Sequence, residues 1–205
     1  LSTWMLLLQH VLAESEPAPG RVVVGGTDVT ASSERVLDEL RQDVGYVFQY
    51  SALFDSMSVF DNVAFALRRH TRKPPAEIAE RVRTCLRLVR LSTVEGRRPA
   101  ELSTGMRRRV GFARAIVLEP EILLFDEPTA GLDIVTVQVI NQVIAELTHR
   151  LKPTAVMVTH DLVSARQVGD RIALLFRGKI LADAPVGRFF ELDHPAVRQL
   201  VEARA

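Results

Sequence analysis

Two hydrophobic periods share this chain, and each marks a kind of element. The run DVGYVFQ, residues 43–49, predicts a buried strand that ends in Gln49. Ile122 to Phe125 predicts a second, running into Asp126-Glu127-Pro128, and the β-rich Thr154 to Thr159 a third, running into His160-Asp161. Between them apolar residues recur at helical spacing. Val36, Leu37 and Leu40 form the inward face of a short helix over 33–41, and Ile78, Val82, Leu86 and Val89 do so in a helical insert over 74–98. Met106, Val110, Ala113 and Val117 follow the stretch Leu102-Ser103-Thr104-Gly105-Met106. Thr136, Ile140, Val143, Ile144, Leu147 and Leu151 follow Asp133, and Val197, Leu200 and Val201 stripe a terminal helix over 194–204. Gly25-Gly26 and Arg177-Gly178-Lys179 predict hairpin turns, within 20–29 and between Arg171–Phe176 and Ile180–Ala184.

Polar residues off these stripes predict solvated faces. Arg107, Arg108 and Arg109 fall mostly off the apolar face of their helix, and Arg81, Arg83, Arg87 and Arg90 off that of the insert, with no aromatic residue interleaved. Leu53, Phe54, Met57, Val59 and Phe60 are too many apolar groups for an ordinary loop. They predict either a satellite core or a surface that receives a partner.

Composition narrows the classes. A net charge of +1 over 205 residues argues against nucleic acid as a partner. The single cysteine, Cys85, excludes a disulfide framework, fits a reducing compartment, and lies on the core stripe of its helix. No run of about eighteen apolar residues predicts a membrane span. The apolar stretch from Trp4 to Leu8 is short, is interrupted by Gln9 and His10, and is not a signal peptide. His10, His70, His149 and His194 show no ligand-like spacing, so no structural metal is expected.

Phosphate chemistry concentrates in ELSTGMRRRVGFARAIVLEPEILLFDEPTAGLD, residues 101–133. Ser103 is a good N-cap, and Gly105 lets another backbone approach. With the helix amides they make an anion site at the positive end of a helix dipole. Asp126 at a strand end can hold Mg²⁺ directly or through water. Glu127 beside it can polarise a water toward a γ-phosphate.

In this order and spacing these pieces resemble the ABC-type ATPases: a signature loop (Ser103, Thr104, Gly105, Met106), a Walker B strand with its catalytic glutamate, and a D-loop, Ala130-Gly131-Leu132-Asp133. The resemblance, over about residues 7–184, implies an α/β fold. This is a P-loop NTPase-type ABC nucleotide-binding domain, with a mixed sheet flanked by helices plus a helical subdomain. It implies a single domain over 1–205: core at about 1–49 and 119–184, helical subdomain at about 50–118, and a tail at about 185–205. It implies ATP and Mg²⁺ as cofactors, Glu127 as general base, His160 as the γ-phosphate sensor, and Gln49 with Asp126 on the metal. A second copy would place Ser103, Thr104, Gly105, Met106 and Asp133 against the ATP held by the first. Leu53, Phe54 and Met57 would meet an integral-membrane permease, on the cytoplasmic face of the membrane.

Within the family, the stretch from Gln49 to Asp133 is similar to ATPases of Mla/Mce-type lipid transport. The features are SALF, VFDNVAF, and Met106 where most relatives carry Gln. This implies phospholipid or other lipid transport, with an MCE-type lipid-binding protein as a further partner.

Two features depart from the family pattern. Thr104 replaces a glycine, and its branched side chain crowds the approach to phosphate. No G-x-x-G-x-G-K-[ST] loop occurs in the 205 residues, although Ser2-Thr3 looks like the tail of one and Leu7–Ala13 like the helix that follows. The expectation is a domain truncated at its N-terminus, whose 205 residues bind Mg-ATP weakly. The alternatives are a degenerate non-catalytic subunit that supports a partner and a soluble non-transport ABC ATPase.

Overall fold

The computed structural model describes residues 20–202, and the backbone alone at Val201. The expectations placed on Ser2-Thr3, Leu7–Ala13, the Val201 side chain and Arg204 lie outside the described residues.

The description begins with a hairpin, β1 (Val23–Val24) and β2 (Thr27–Asp28), paired Val23 to Asp28 and Val24 to Thr27. Its turn needs two left-handed residues, and Gly25 and Gly26 supply them at φ 55° and 82°. Helix α1 (Glu34–Gln42) packs on it through the buried Leu37 and the half-buried Leu40. Val36, expected inward, is 39% exposed. The hairpin is too small to cover a stripe that wide.

The main sheet has three parallel strands in the order β3 (Val44–Val47), β4 (Ile122–Asp126), β5 (Thr154–Val158). Val47 pairs with Phe125, and Asp126 with Val158. The carboxyl ends of all three strands therefore lie side by side, where α/β sheets place their sites. β4 is apolar on both faces. Leu123 and Phe125 enter the main core, and Leu124 packs on the other side with Val44 and Tyr46. Among the described residues β5 pairs only with β4.

The connection from β3 to β4 holds the helical region. Helix α2 (Val59–His70) was not foreseen as a helix, although Val59, Val63 and Leu67 have the spacing. Ser58 caps it by accepting from the Asp61 amide, and the Ser58 hydroxyl donates to the Asp61 carboxylate at 2.6 Å. Helix α3 (Pro75–Leu88) is shorter than the insert predicted for 74–98. The chain turns at Arg90, φ 57°, and then runs back so that the Glu95 and Arg97 carbonyls receive the Phe60 and Val59 amides of α2. Helix α4 (Thr104–Ala115) closes the region, its Phe112 ring edge-on to Phe125 at 5.7 Å. Cys85 is buried as expected, and burial pushes its thiol up to about 11, Glu119 adding to the shift and Arg81 opposing it.

The arginines correct the expectation of a solvated face. Arg108 is 3% exposed. Arg109 donates to the Val89 and Arg90 carbonyls at 3.4 and 2.8 Å, satisfying the end of α3. Arg81 donates to the Ile116 and Val117 carbonyls at 2.8 and 3.0 Å. Helix ends leave carbonyls without partners, and a guanidinium reaches several of them at once. Arg83 and Arg87 do face water, paired with Glu80.

Helix α5 (Ile134–Leu151) connects β4 to β5 and buries Ile140, Val143, Ile144 and Leu147. After β5 come α6 (Leu162–Val168), the antiparallel pair β6 (Arg171–Phe176) and β7 (Lys179–Pro185), α7 (Val186–Phe189) and α8 (Pro195–Glu202). Ala184, Phe189 and Val197 form their small core. Among the described residues no helix is long and apolar enough to cross a membrane.

Candidate functional site

The ends of β3, β4 and β5 deliver Gln49, Asp126-Glu127 and Thr159-His160 to one edge of the sheet. Asp126 is half-buried and receives the Tyr46 hydroxyl at 3.4 Å. Burial pushes its carboxyl above the ordinary value, the adjacent Glu127 adds to this, and Tyr46 and Arg108 oppose it. A single strand-end carboxylate suits Mg²⁺, which keeps most of its shell for water and phosphate oxygens. Among the described residues no cluster of three or more His, Cys, Asp or Glu side chains could hold a metal by itself. Asp126, at the end of β4, suits a cation that arrives with a polyphosphate.

Glu127 takes a left-handed backbone, φ 44°, directly after the strand, with its amide on the Val158 carbonyl at 2.9 Å. That conformation is costly for glutamate and marks a constrained position. Its carboxylate is held from β5. Oε1 accepts from the His160 amide at 3.1 Å and lies 2.7 Å from His160 Nδ1, and Oε2 accepts from the Thr159 hydroxyl at 3.4 Å. The Glu127 side chain is 17% exposed and that of His160 65%, so the pair opens to solvent on the imidazole side. An ionised carboxylate fixed in this way can orient and deprotonate a water. Thr159 was not singled out from the sequence; its signal was its place between a strand and the histidine.

The residues expected at the signature form a second group, on α4 and α5. Ser103 caps α4, its hydroxyl accepting from the Met106 amide at 3.3 Å. Ser103 and Thr104 are exposed, and Thr104 accepts from Arg107 at 3.0 Å. The Met106 side chain packs against the core. A Cβ on Gly105 would stand 2.6 Å from Thr136 Cγ2, so its missing side chain serves contact with the first turn of α5. That turn is capped by Asp133, which accepts from the Val135 and Thr136 amides and, at 2.6 Å, from the Thr136 hydroxyl. The Thr136 hydroxyl, then its amide, lowers the Asp133 carboxyl from its ordinary value. Thr136 thus joins Gly105 to Asp133.

The apolar cluster divides. Leu53 packs against the main core, Met57 is half-buried, and Phe54 is 44% exposed with its ring 5.1 Å from that of Phe65. Phe54 and Phe65 line a groove of about 890 Å³ beside β3, with Arg69, His70 and Arg114 among its other walls. The buried Asn62 holds the loop over it. Its side-chain oxygen accepts from the Phe54 amide at 2.8 Å, and its NH₂ group donates to the Phe54, Met57 and Ser58 carbonyls. The sequence reading did not single out Asn62.

The chain is similar to known proteins. The chain is 39% identical over 199 residues to the Mycobacterium tuberculosis protein named "Probable ribonucleotide transport ATP-binding protein mkl", with 97% of this chain covered and 55% of the relative. It is 41% identical over 196 residues to the methionine import ATP-binding protein MetN of Xanthomonas campestris, covering 95% of the chain and 58% of the relative. The chain thus spans a little over half the length of these relatives. Among solved structures, the dimeric post-hydrolysis state of the ATP-binding cassette MJ0796 bound to ADP and Pi superposes with a TM-score of 0.80. That match is 29% identical and covers 89% of this chain and 80% of the other. CbiO1 of Clostridium perfringens, part of an ABC transporter complex, gives 0.84 at 28% identity over 98% and 79% of the two chains. The family profile described as ABC transporter matches residues 5–130, more than half of the chain, and the chain belongs to that family.

Proposed function

We propose that this chain is the ATP-hydrolysing cassette of an ABC transporter, peripheral to the cytoplasmic face of a membrane, working as a dimer on a permease. The observation that carries the reading is Glu127, placed after Asp126 and held by Thr159 and His160. In this reading Asp126 with Gln49 would hold Mg²⁺, which would supply neutralisation of phosphate charge when bound. Glu127 takes the proton of the attacking water, and His160 fixes the carboxylate and faces the γ-phosphate. Ser103, Thr104 and Gly105 at the start of α4 meet the nucleotide of the opposite copy, where helix amides favour an anion. Phe54 and the groove beside it receive the permease. The relative named as a methionine importer and the solved cassettes of transporter systems support this class.

For the cargo we propose a phospholipid or another lipid, handed over by an MCE-type lipid-binding partner. The support is the stretch from Gln49 to Asp133 with Met106 in the signature. The names of the relatives point instead to ribonucleotides and methionine. The test is phosphate release from Mg-ATP by the cassette, preceded by a G-x-x-G-x-G-K-[ST] segment and assembled with its membrane subunits in phospholipid vesicles. Methionine and a ribonucleotide are offered in turn, and transfer of a labelled phospholipid is followed. Lipid transfer that requires ATP is expected. Turnover stimulated by methionine or a ribonucleotide, without lipid transfer, overturns the lipid reading, and absence of any phosphate release overturns the ATPase reading.

A further inference from the structure

The loop that carries Gln49 lies along one row of α4. At its middle is Gly111, where a Cβ would stand 3.5 Å from Ser51 Cβ and 3.6 Å from Ser51 Cα and O, so the loop rests on bare helix backbone. Three residues earlier, Arg108 Nη1 donates to the Phe48 carbonyl at 3.4 Å. Three residues later, Arg114 donates to the Ala52 carbonyl at 2.7 Å and the Ser51 carbonyl at 2.8 Å. Positions three apart form a ridge on a helix, and here the ridge grips Gln49 from both sides. The other arm of Arg108 donates to the Ala130 carbonyl at 3.2 Å, in the turn that leads to Asp133.

Two further observations set these arginines apart. Arg108 is 3% exposed, its Nε has no hydrogen-bond partner, and among the described ion pairs neither arginine has a carboxylate. Burying a cation whose hydrogen bonds go only to carbonyls is costly, the charge of Asp126 offsetting desolvation of Arg108 only in part, and a neutral side chain would pack there at less expense. Ser51 and Ala52, moreover, have φ of 63° and 42°, a left-handed pair that neither residue type favours. The shape of the loop is imposed by what it is fastened to.

We propose that Arg108 and Arg114 are positioning residues that bind the Gln49 loop to the helix beginning at Ser103, so that Gln49 and Ser103 move as one body. Arg108 extends that body to the turn before Asp133. The proposal rests on the ATPase reading only for the role it gives Gln49.

The fastening is tested first on the chain itself, by amide hydrogen exchange in Arg114→Lys and Arg108→Lys. Exchange over residues 48–54 is expected to rise roughly tenfold, the scale of about one lost hydrogen bond, with β4 unchanged. Unchanged exchange in this segment overturns the fastening. If Arg108→Lys does not fold, the half-buried Arg114 carries the test. The positioning role is read from turnover in a double-mutant cycle with Gln49→Ala, using the chain preceded by a G-x-x-G-x-G-K-[ST] segment. Arg114→Lys should lower kcat by roughly tenfold or more with KM for ATP little changed, and should add almost nothing when Gln49 is already Ala. Equal losses in both backgrounds overturn the role and leave a purely structural arginine. If the parent shows no turnover, the ATPase reading fails, while hydrogen exchange still decides the fastening.

Discussion

His160 holds Glu127 twice through one oxygen: its backbone amide lies 3.1 Å and its Nδ1 2.7 Å from Oε1. One residue of β5's exit thereby fixes the rotamer of the carboxylate at the end of β4. Glu127→Gln keeps the shape and removes the base. In the chain carrying a phosphate loop, turnover should fall by roughly 10²- to 10⁴-fold while ATP binding persists. Single-turnover phosphate release beside nucleotide-binding calorimetry checks this, and near-normal turnover would remove Glu127 from the chemistry.

Asp126 predicts a pH effect. Its carboxyl is raised in the folded chain, chiefly by burial, so the folded state binds the proton more tightly than the unfolded state. Stability from this group is complete below the unfolded value, about 3.9, and is lost as pH rises through the higher folded value. Asp126→Asn escapes that loss. Its melting temperature should exceed that of the parent at pH 7, and the advantage should shrink toward pH 4. A constant difference across that range would mean that ionisation of Asp126 is not the cause.

Gly105 faces Thr136, and the clash is specific to one methyl group. Gly105→Ala should destabilise the chain by about 1–3 kcal/mol, the usual cost of an overpacked contact. Thr136→Ser removes Cγ2 and keeps the hydroxyl bonded to Asp133, so it should restore most of that loss. Denaturant titration of both single variants and the double variant measures it. Additive losses would place the strain elsewhere.

Asn62 satisfies four backbone groups of the 54–58 loop from a fully buried position. Asn62→Leu removes the bonds to the Phe54 amide and the Met57 carbonyl, while the Phe54 and Ser58 carbonyls keep the Met57 and Asn62 amides, and it should cost about 2–4 kcal/mol. Urea midpoints report the loss, and a change below about 0.5 kcal/mol, the range of neutral surface substitutions, would show that water replaces the amide freely.

Phe54 is the exposed member of the apolar loop. Phe54→Ala should leave the melting temperature within a few degrees and weaken co-purification with the membrane subunit. A large drop in melting temperature with unchanged co-purification would identify Phe54 as part of the fold.

The sequence exposed those parts of the molecule whose cause is local. The run of β4 with Asp126-Glu127 behind it, the cap at Ser103, the turn into the helix after Asp133, and the two-glycine turn depend on a few neighbouring residues. The arginines were misjudged because their partners are remote. Arg108 meets carbonyls at Phe48 and Ala130, and nothing in Arg-Arg-Arg distinguishes a side chain bound for buried carbonyls from two that remain nearer water. Val36 failed for a related reason, since apolar spacing marks a face without showing how much of it a neighbour covers. Helix α2 was hidden by its own richness: Leu53 to Phe60 supplied so many apolar groups that the cap at Ser58 went unread.

Arg81, Arg108, Arg109 and Arg114 all fasten the helical region through main-chain carbonyls. Dissolved ions screen one exposed charge from another, but a guanidinium lodged against a peptide dipole at contact distance is shielded far less. Exposed pairs such as Arg35–Glu39 and Arg83–Glu80 loosen in concentrated salt. The joints around Gln49 and the end of α3 hold, so the helical region keeps its internal geometry across a wide range of ionic strength.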